Sequence, residues 1–171
     1  ASMFGLASGI FFIGYVLVEV PSNLALERFG ARRWLARIAV SWGIVAVAIG
    51  FAPNAATLLA LRFLLGVAEA GLFPGVIFYL SRWFPAEYRV RIVAMFMMAS
   101  PVAAALGTPL AAWLIQSGDG VFGLAGWRFM MITVGLPAII LGMVCWFYLT
   151  DRPKDADWLA ADERQWLIDV L

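Results

Sequence analysis

Apolar residues dominate the chain in five long segments, which short polar breaks separate. Each segment has about the 20 residues that an α-helix needs to cross roughly 30 Å of hydrocarbon. The segments are longer than the strands of a membrane barrel, which have about ten residues, and they do not alternate between apolar and polar positions. The pattern therefore predicts five membrane-spanning helices, at residues 3–20, 34–52, 56–80, 92–115 and 127–149.

The breaks between these segments alternate in charge. Those at residues 53–55 and 116–126 contain no lysine or arginine, whereas the breaks at 21–33 and 81–91 each contain three arginines. Positively charged loops remain in the cytoplasm, so we expect both basic loops and the tail after residue 149 to be cytoplasmic. The membrane is then the plasma membrane, the inner membrane of a bacterium. The N-terminus would lie outside without a charge to direct it there, which indicates a missing preceding span.

Composition supports a membrane protein. Hydrophobic residues make up 64% of the chain and charged residues 13%, and the mean hydropathy is +0.91. Soluble domains carry about 25% charged residues. A net charge of +1 disfavours a nucleic-acid surface, which needs a clustered basic face. With no histidine and one cysteine, Cys145, the sequence predicts no metal site, no internal disulfide and no enzyme.

The chain divides into a membrane domain at residues 1–149 and a polar tail at 150–171, which we interpret as a cytoplasmic linker. Tryptophans and aliphatic residues between Trp158 and Val170 fall on one side of a short helix. Such a helix can lie on the inner membrane surface. A solvated linker fits the same residues equally well.

Two charged residues, Arg62 and Glu69, lie inside the third segment. A charge at the centre of a span costs about 2.5–3.5 kcal/mol on insertion scales, and residues so costly are usually retained for function. Seven residues make nearly two helical turns, so both side chains share one face about 10 Å apart along the axis, with Gly66 and Phe73 on the same stripe. This spacing suits two ends of a small ligand. Alternatively, each charge pairs with another helix and only stabilises packing.

Small residues in the same segment are spaced as in closely packed membrane helices. Gly66 with Ala70, and Gly71 with Gly75, form small-xxx-small pairs. We interpret them as helix contacts, since small residues let two backbones approach closely.

Glu19 closes the first segment. The arginines that follow it, Arg28 and Arg32, favour a salt-bridge cluster at the membrane interface. A role as a gate to the substrate is the alternative.

Several strings together resemble the anion:cation symporter family of the major facilitator superfamily. The fourth helix of that family is similar to the string from Arg62 to Gly75, RFLLGVAEAGLFPG. Residues 19–33 resemble its loop between helices two and three, and residues 83–89 its loop four–five. Residues 126–128 and 151–153 resemble the start and exit of its sixth helix. The resemblance implies an all-α bundle in which the five segments are helices two to six of twelve.

This resemblance implies a secondary transporter that imports a small organic anion with a proton by alternating access. Family members carry sugar acids, aromatic acids and dicarboxylates. Glu69 matches the glutamate tied to proton coupling, and Arg62 matches the arginine tied to substrate charge. Tyr15 matches an aromatic residue on helix two that reaches the substrate cavity, and Ser100 on helix five is a candidate for a substrate hydrogen bond. The proton is the coupling ion, and no other cofactor is expected.

The loop between helices two and three is expected to act as a conformational latch. An acid followed by arginines can bridge helix ends on the cytoplasmic side and hold the outward-facing state. The latch residues are Asn23, Glu27, Arg28, Gly30, Arg32 and Arg33. Asn23, Glu27 and Ala31 stand where glycine, aspartate and a basic residue are more common.

An antiporter or efflux protein on the same scaffold is the alternative function. The fifth helix reads Gly107-Thr108-Pro109, without the glycine-proline-glycine run of drug:proton antiporters, which favours import. Val134 replaces a glutamate that many relatives carry, which argues against a second acidic site. The expected partners are the organic anion, the lipid bilayer, and the rest of the transporter chain (helix one and the C-terminal half). Without them, this stretch is not expected to transport.

Overall fold

The computed structural model describes residues 2–171, with side chains from residue 5 onward, and that range contains no strand. Two 3-10 turns, Val121–Gly123 and Pro153–Asp155, lie in the connections that precede the last two α-helices. The α-helices are α1 (Ser2–Phe29), α2 (Ala31–Gly50), α3 (Ala55–Glu69), α4 (Leu72–Trp83), α5 (Ala86–Ser117), α6 (Gly126–Tyr148) and α7 (Ala161–Val170).

Five helical segments of the described chain are long and apolar enough to cross a membrane. They are α1, α2, α5, α6 and the combined α3 and α4, which form one span with a break in its middle. Each overlaps one of the predicted segments, so the predicted number and order of spans are confirmed. The first and third segments differ in detail.

The first helix runs further than predicted. Most of the predicted loop at residues 21–33 is helical, because α1 continues through Pro21 to Phe29. A proline removes one backbone donor, and neighbouring helices make this tolerable in a membrane bundle. Gly30 ends the helix with a φ of 88°, a conformation that glycine adopts readily, and α2 begins at the next residue.

The third span is interrupted at Ala70 and Gly71, where α3 ends and α4 begins. Gly71 has a φ of 87°, in the left-handed region that favours glycine. The prediction of one continuous helix over residues 56–80 is therefore wrong, and Phe73 does not continue the face of α3.

A buried serine stabilises this break. Ser22 of α1 is 2% exposed, and its Oγ donates to the carbonyl oxygen of Ala70 at 2.6 Å. Nε1 of Trp34 donates in turn to Ser22 Oγ at 2.9 Å. The end of a helix leaves carbonyl oxygens without intrahelical partners. Ser22 therefore supplies a donor that hydrocarbon cannot supply.

Helices α2 and α6 form the most extensive contact of the bundle, and glycines line it. A Cβ at Gly43 would lie 2.7 Å from the carbonyl oxygen of Gly135, and a Cβ at Gly135 would lie 2.8 Å from that of Gly43. Gly50 and Gly142 make similar approaches toward the two ends. The absence of side chains thus lets the two backbones touch.

Polar bonds fix both ends of this helix pair. At the start of α6, Arg128 donates from Nη1 to Gly50 O at 3.1 Å and from Nη2 to Ala52 O at 2.7 Å. At the other end, Oδ1 of Asp151 accepts from the backbone N–H of Arg32, 2.7 Å away, in the first turn of α2. These three bonds satisfy backbone groups at or just beyond helix termini, which would otherwise be free.

Helices α1 and α3 form a second close pair. A Cβ at Gly14 would lie 2.5 Å from the carbonyl oxygen of Phe63, and a Cβ at Gly66 would overlap the carbonyl oxygen of Phe11. The interpretation of Gly66 as a helix-packing residue agrees with this contact.

Helix α5 is the least covered element. It packs on α4 and α6, and its most apolar window contains no buried residue. Met98, Leu106 and Trp113 are among its exposed apolar side chains. In a membrane protein such a surface contacts lipid or further helices.

Replacing Ser22 by Ala is expected to destabilise the protein by about 1–3 kcal/mol, because the buried Ala70 carbonyl and the Trp34 N–H both lose their partner. Unfolding titrations in mild detergent measure the change. The control is Ser41→Ala, since Ser41 Oγ only donates to the carbonyl oxygen of Ile38 within its own helix. Equal losses for both variants would contradict the role of Ser22.

Replacing Gly135 by Ala is expected to destabilise the bundle by about 1–3 kcal/mol, because the new methyl group forces α2 and α6 apart. The same unfolding titration measures it. Gly107→Ala is the matched control, because a Cβ there meets nothing within 4 Å. It should be neutral or stabilising, given the helix propensity of alanine. A destabilisation as large as that of Gly135→Ala would contradict the packing argument.

Candidate functional site

The two intramembrane charges of α3 flank its contact with α1. Gly66, whose backbone lies against Phe11 and Tyr15, is one turn after Arg62 and three residues before Glu69. Both side chains therefore project from the edge of the α1–α3 contact, separated by about 10 Å along the helix axis. The break after Glu69 does not disturb this shared face, because both residues belong to α3.

Arg62 is half-buried, and its Nε is buried without a hydrogen-bond partner among the described residues. A guanidinium N–H left unpaired away from water is costly, more so for a charged group than for a neutral one. Within the same described range, Arg62 makes no ion pair with Glu69 or with another carboxylate. The arginine thus has donor capacity available for a ligand.

Glu69 is the last residue of α3 and is half-buried. It precedes the break at Ala70 and Gly71, so its carboxyl group lies at the end of a half-helix inside the membrane span. The C-terminal end of a helix carries partial negative charge. In transporters, such interrupted helices mark sites for ions and substrates, and the C-terminal ends of half-helices coordinate cations.

Tyr15 of α1 lies on the same side of the α1–α3 pair. It is half-buried, and its ring packs against Phe11 with centroids 6.3 Å apart. Its backbone nitrogen lies 3.0 Å from the position of a Cβ on Gly66, three residues before Glu69. The described structure therefore places Tyr15 at the α1–α3 contact, beside the helix that carries Arg62 and Glu69.

Ser100 is not close to this group. It is exposed on α5, whose main contacts are with α4 and α6 and not with α1 or α3. Phe96, one turn earlier, packs against Phe73 of α4 with centroids 5.4 Å apart. The proposed substrate hydrogen bond from Ser100 stays a prediction.

Three predicted latch residues make specific contacts. Oδ1 of Asn23 lies 3.5 Å from the position of a Cβ on Gly71, beside the helix break. Gly30 leaves room for the carboxylate of Asp151, since a Cβ there would lie 2.8 Å from Oδ2. Arg32 donates its backbone N–H to Asp151 and its Nε to the carbonyl oxygen of Trp146. The short α1–α2 connection is therefore attached to the end of α6.

The other latch residues, Glu27, Arg28 and Arg33, are exposed, and none of them forms an ion pair within residues 5–171. The side chain of Arg28 instead lies over the ring of Phe29, 5.7 Å from its centroid. The expected salt-bridge cluster of Glu19 with Arg28 and Arg32 is also not formed, because Arg32 is bonded to the end of α6. The bonds that the predicted latch makes in this structure each involve a backbone group.

Sequence reasoning gave no role to Ser22, Asp151 or Arg128, although each lies in a string that it singled out. For Ser22 the only signal was its place just after the first predicted span. For Asp151 the signal was an acid directly after the last span, and for Arg128 an arginine at the start of that span. Their acceptors and donors are backbone groups, which a sequence does not identify.

No group of three or more metal-ligating side chains occurs among the described residues. The chemistry available at the α1–α3 edge is therefore that of one guanidinium group, one carboxyl group and one phenol. Such a set can bind an organic anion and exchange a proton.

Comparison with known proteins assigns the family. The family model described as Major Facilitator Superfamily matches residues 1–168. A putative tartrate transporter of Agrobacterium vitis is 52% identical over 171 residues, which are 100% of this chain and 39% of that protein. A quinolone resistance transporter of Acinetobacter baumannii is 43% identical over 98% of this chain and 38% of its own length. The chain thus spans less than two fifths of these curated relatives.

The fold has a counterpart among solved structures. A bacterial homologue of the human lysosomal transporter Spinster, in an inward-facing and unoccupied conformation, superposes with a TM-score of 0.74 at 22% identity. The match covers 88% of this chain and 36% of that one, and at this identity it concerns the fold alone. The family model and the fold agree with the resemblance identified from the sequence. The chain is an integral membrane protein of the Major Facilitator Superfamily, a family of transporters and not of enzymes.

Proposed function

We propose that this chain is part of a secondary active transporter that imports a small organic anion together with a proton. One arrangement carries the proposal: on one face of α3, Arg62 has a buried, unpartnered Nε, and Glu69 lies at a helix break. Two opposite charges in hydrocarbon that do not neutralise each other are expensive. Their retention is explained if each has a partner during transport.

Arg62 is suited to bind the carboxylate of the substrate. A guanidinium group offers planar, paired donors that match a carboxylate, and such charge-assisted bonds are stronger than neutral ones. The 52% identity to a protein named as a putative tartrate transporter supports a small anionic substrate. Sugar acids, aromatic acids and dicarboxylates share the required carboxylate.

Glu69 is suited to accept the coupling proton. A carboxyl group in a low-dielectric cavity can accept a proton near neutral pH, and the negative end of α3 favours the protonated form further. Glu69 forms no ion pair within the described residues. Protonation would thus remove a charge from the membrane interior and lower the cost of a conformational change.

Coupling follows because substrate and proton act on one helix. A carboxylate bound at Arg62 compensates the positive charge, about 10 Å from Glu69. That change in local charge alters the affinity of Glu69 for a proton. By thermodynamic linkage, protonation of Glu69 changes the affinity for the substrate by the same factor. Tyr15, whose backbone lies against Gly66 between these two residues, is a candidate to contact both the substrate and Glu69.

Efflux by proton antiport is the second candidate, and the 43% identity to a protein named as a quinolone resistance transporter favours it. The same Glu69 would then exchange protons against an outgoing compound. Transport by right-side-out and inside-out vesicles under one proton gradient distinguishes the two directions.

The membrane orientation belongs to the same proposal. We place the end that carries Gly30, Arg89 and the tail in the cytoplasm, because its loops are the basic ones. The bond of Asp151 to the first turn of α2 would then act as the cytoplasmic latch. The substrate cavity is completed by further helices of the same transporter.

Replacing Glu69 by Gln is expected to abolish proton-driven accumulation while substrate exchange continues, because glutamine keeps the shape but cannot exchange a proton. Proteoliposomes of a full-length transporter carrying this sequence, assayed with and without an imposed pH gradient, measure both activities. Glu87→Gln is the control, since Glu87 is exposed in the first turn of α5. Accumulation by Glu69→Gln at the wild-type level would contradict the assignment.

Replacing Arg62 by Gln is expected to weaken binding of the anion by about 10–100-fold, the worth of a charge-assisted hydrogen bond. Arg62→Lys keeps the charge without the paired donors, so its affinity for the anion should fall between those of the wild type and of Arg62→Gln. Thermal-shift titrations of the full-length protein with sugar acids, aromatic acids and dicarboxylates give the dissociation constants. Unchanged affinity in both variants would show that the anion binds elsewhere.

A further inference from the structure

A surface cavity lies at the basic end of the bundle, away from Arg62 and Glu69. It has a volume of about 320 Å³ and lies between the end of α4 and the tail. Its lining consists of Arg82, Arg152, Pro153, Lys154, Ile168 and Leu171.

Every charged residue that lines this cavity is basic. Arg82 is half-buried, whereas Arg152 and Lys154 are exposed. None of the three is in an ion pair within residues 5–171, where the one salt bridge joins Arg164 to Asp157. Three converging cations without a counter-ion favour the binding of an anion.

The side chain of Arg82 is held in place on one side. Its guanidinium carbon lies 4.3 Å from the centroid of the Phe78 ring, in a cation–π contact. Such a contact orients the group and leaves N–H donors at its edge for an anion.

The remaining walls of the cavity are apolar. Ile168 and Leu171 come from the last part of the chain, and Pro153 is buried beneath them. An inorganic anion gains nothing from these walls, whereas an amphiphile can place its charged group on the cations and its apolar part here.

Aromatic residues adjacent to the cavity indicate where it lies in the membrane. The rings of Trp83 and Trp158 stack with centroids 5.8 Å apart at an interplanar angle of 13°. A neighbouring cavity is lined by Tyr79, Tyr148 and the same two tryptophans. Tryptophan and tyrosine concentrate at the boundary between headgroups and hydrocarbon, so the basic cavity lies at headgroup depth.

We propose that this cavity binds the phosphate headgroup of an anionic phospholipid. Arg82, Arg152 and Lys154 contact the phosphate, and the start of the acyl chains lies against Ile168 and Leu171. Basic pockets beside membrane helices on the cytoplasmic side bind anionic headgroups in this way. The site depends on the membrane location of the chain and is independent of the transported substrate.

A lipid in this cavity also explains the position of the tail. Helix α7 has no buried residue and contacts mainly the turn at Pro153–Asp155, while its Trp166, Ile168 and Val170 are exposed. A lipid between α4 and α7 would cover part of this apolar surface. The tail is then a surface helix of the membrane and not a free linker.

The test uses a full-length transporter carrying this sequence, purified into nanodiscs of phosphatidylcholine mixed with phosphatidylglycerol. Native mass spectrometry measures the lipid that remains bound to the protein after the protein is released from the nanodiscs. Phosphatidylglycerol should be retained in preference to phosphatidylcholine. Arg152→Gln and Lys154→Gln should each weaken its retention about fivefold, and the double variant about 25-fold. Both residues are exposed, so neither change threatens folding.

Arg91→Gln is the matched control, because Arg91 is an exposed arginine near the start of α5 that does not line the cavity. An equal loss in this control would indicate diffuse attraction to the membrane and overturn the site. Equal retention of both lipids would overturn it as well. Displacement of the lipid by inorganic phosphate at equal concentration would assign the cavity to a soluble anion instead.

Discussion

Inside a bilayer, helices gain little by hiding apolar side chains from lipid, so the bundle depends on how closely its backbones approach each other. Two glycine contacts provide that approach. Gly43 and Gly135 bring α2 against α6, and Gly14 and Gly66 bring α1 against α3. Each places one helix within van der Waals contact of a backbone carbonyl of the next, where any side chain would intrude. The position of the charged residues follows from the second contact.

The break in the third span is a consequence of this close packing. Because α1 lies so near α3, Ser22 can reach the free carbonyl of Ala70 and satisfy it in a medium without water. Glu69 is the last residue before this break, at the end of a half-helix and seven residues after Arg62. Packing and chemistry are thus linked at one point, since the serine that bonds to the break lies next to the residue that follows Glu69.

The sequence predicts the five spans well because hydrocarbon thickness sets their length. It also places Arg62 and Glu69 on one helix face, since their spacing follows from local geometry. The break at Gly71 depends on Ser22, which is 48 residues away, and the bond between Arg32 and Asp151 joins residues 119 apart. Local patterns do not contain such pairings. A glycine–proline-rich string inside an apolar span was the available sign of the break.

The two helix pairs have different mechanical properties. The α2–α6 pair is bonded at both ends, by Arg128 at one end and by Asp151 at the other, and its glycines meet along its length. The α1–α3 pair carries the unpaired charges and contains the break. Under the proposed function, a change of charge at Glu69 would act on the pair that contains the break, while α2 and α6, bonded at both ends, would provide the frame. Because Trp34 of α2 donates to Ser22, and Ser22 donates to Ala70, α2 is bonded to the break through a residue that lies one turn after the α1–α2 connection at Gly30.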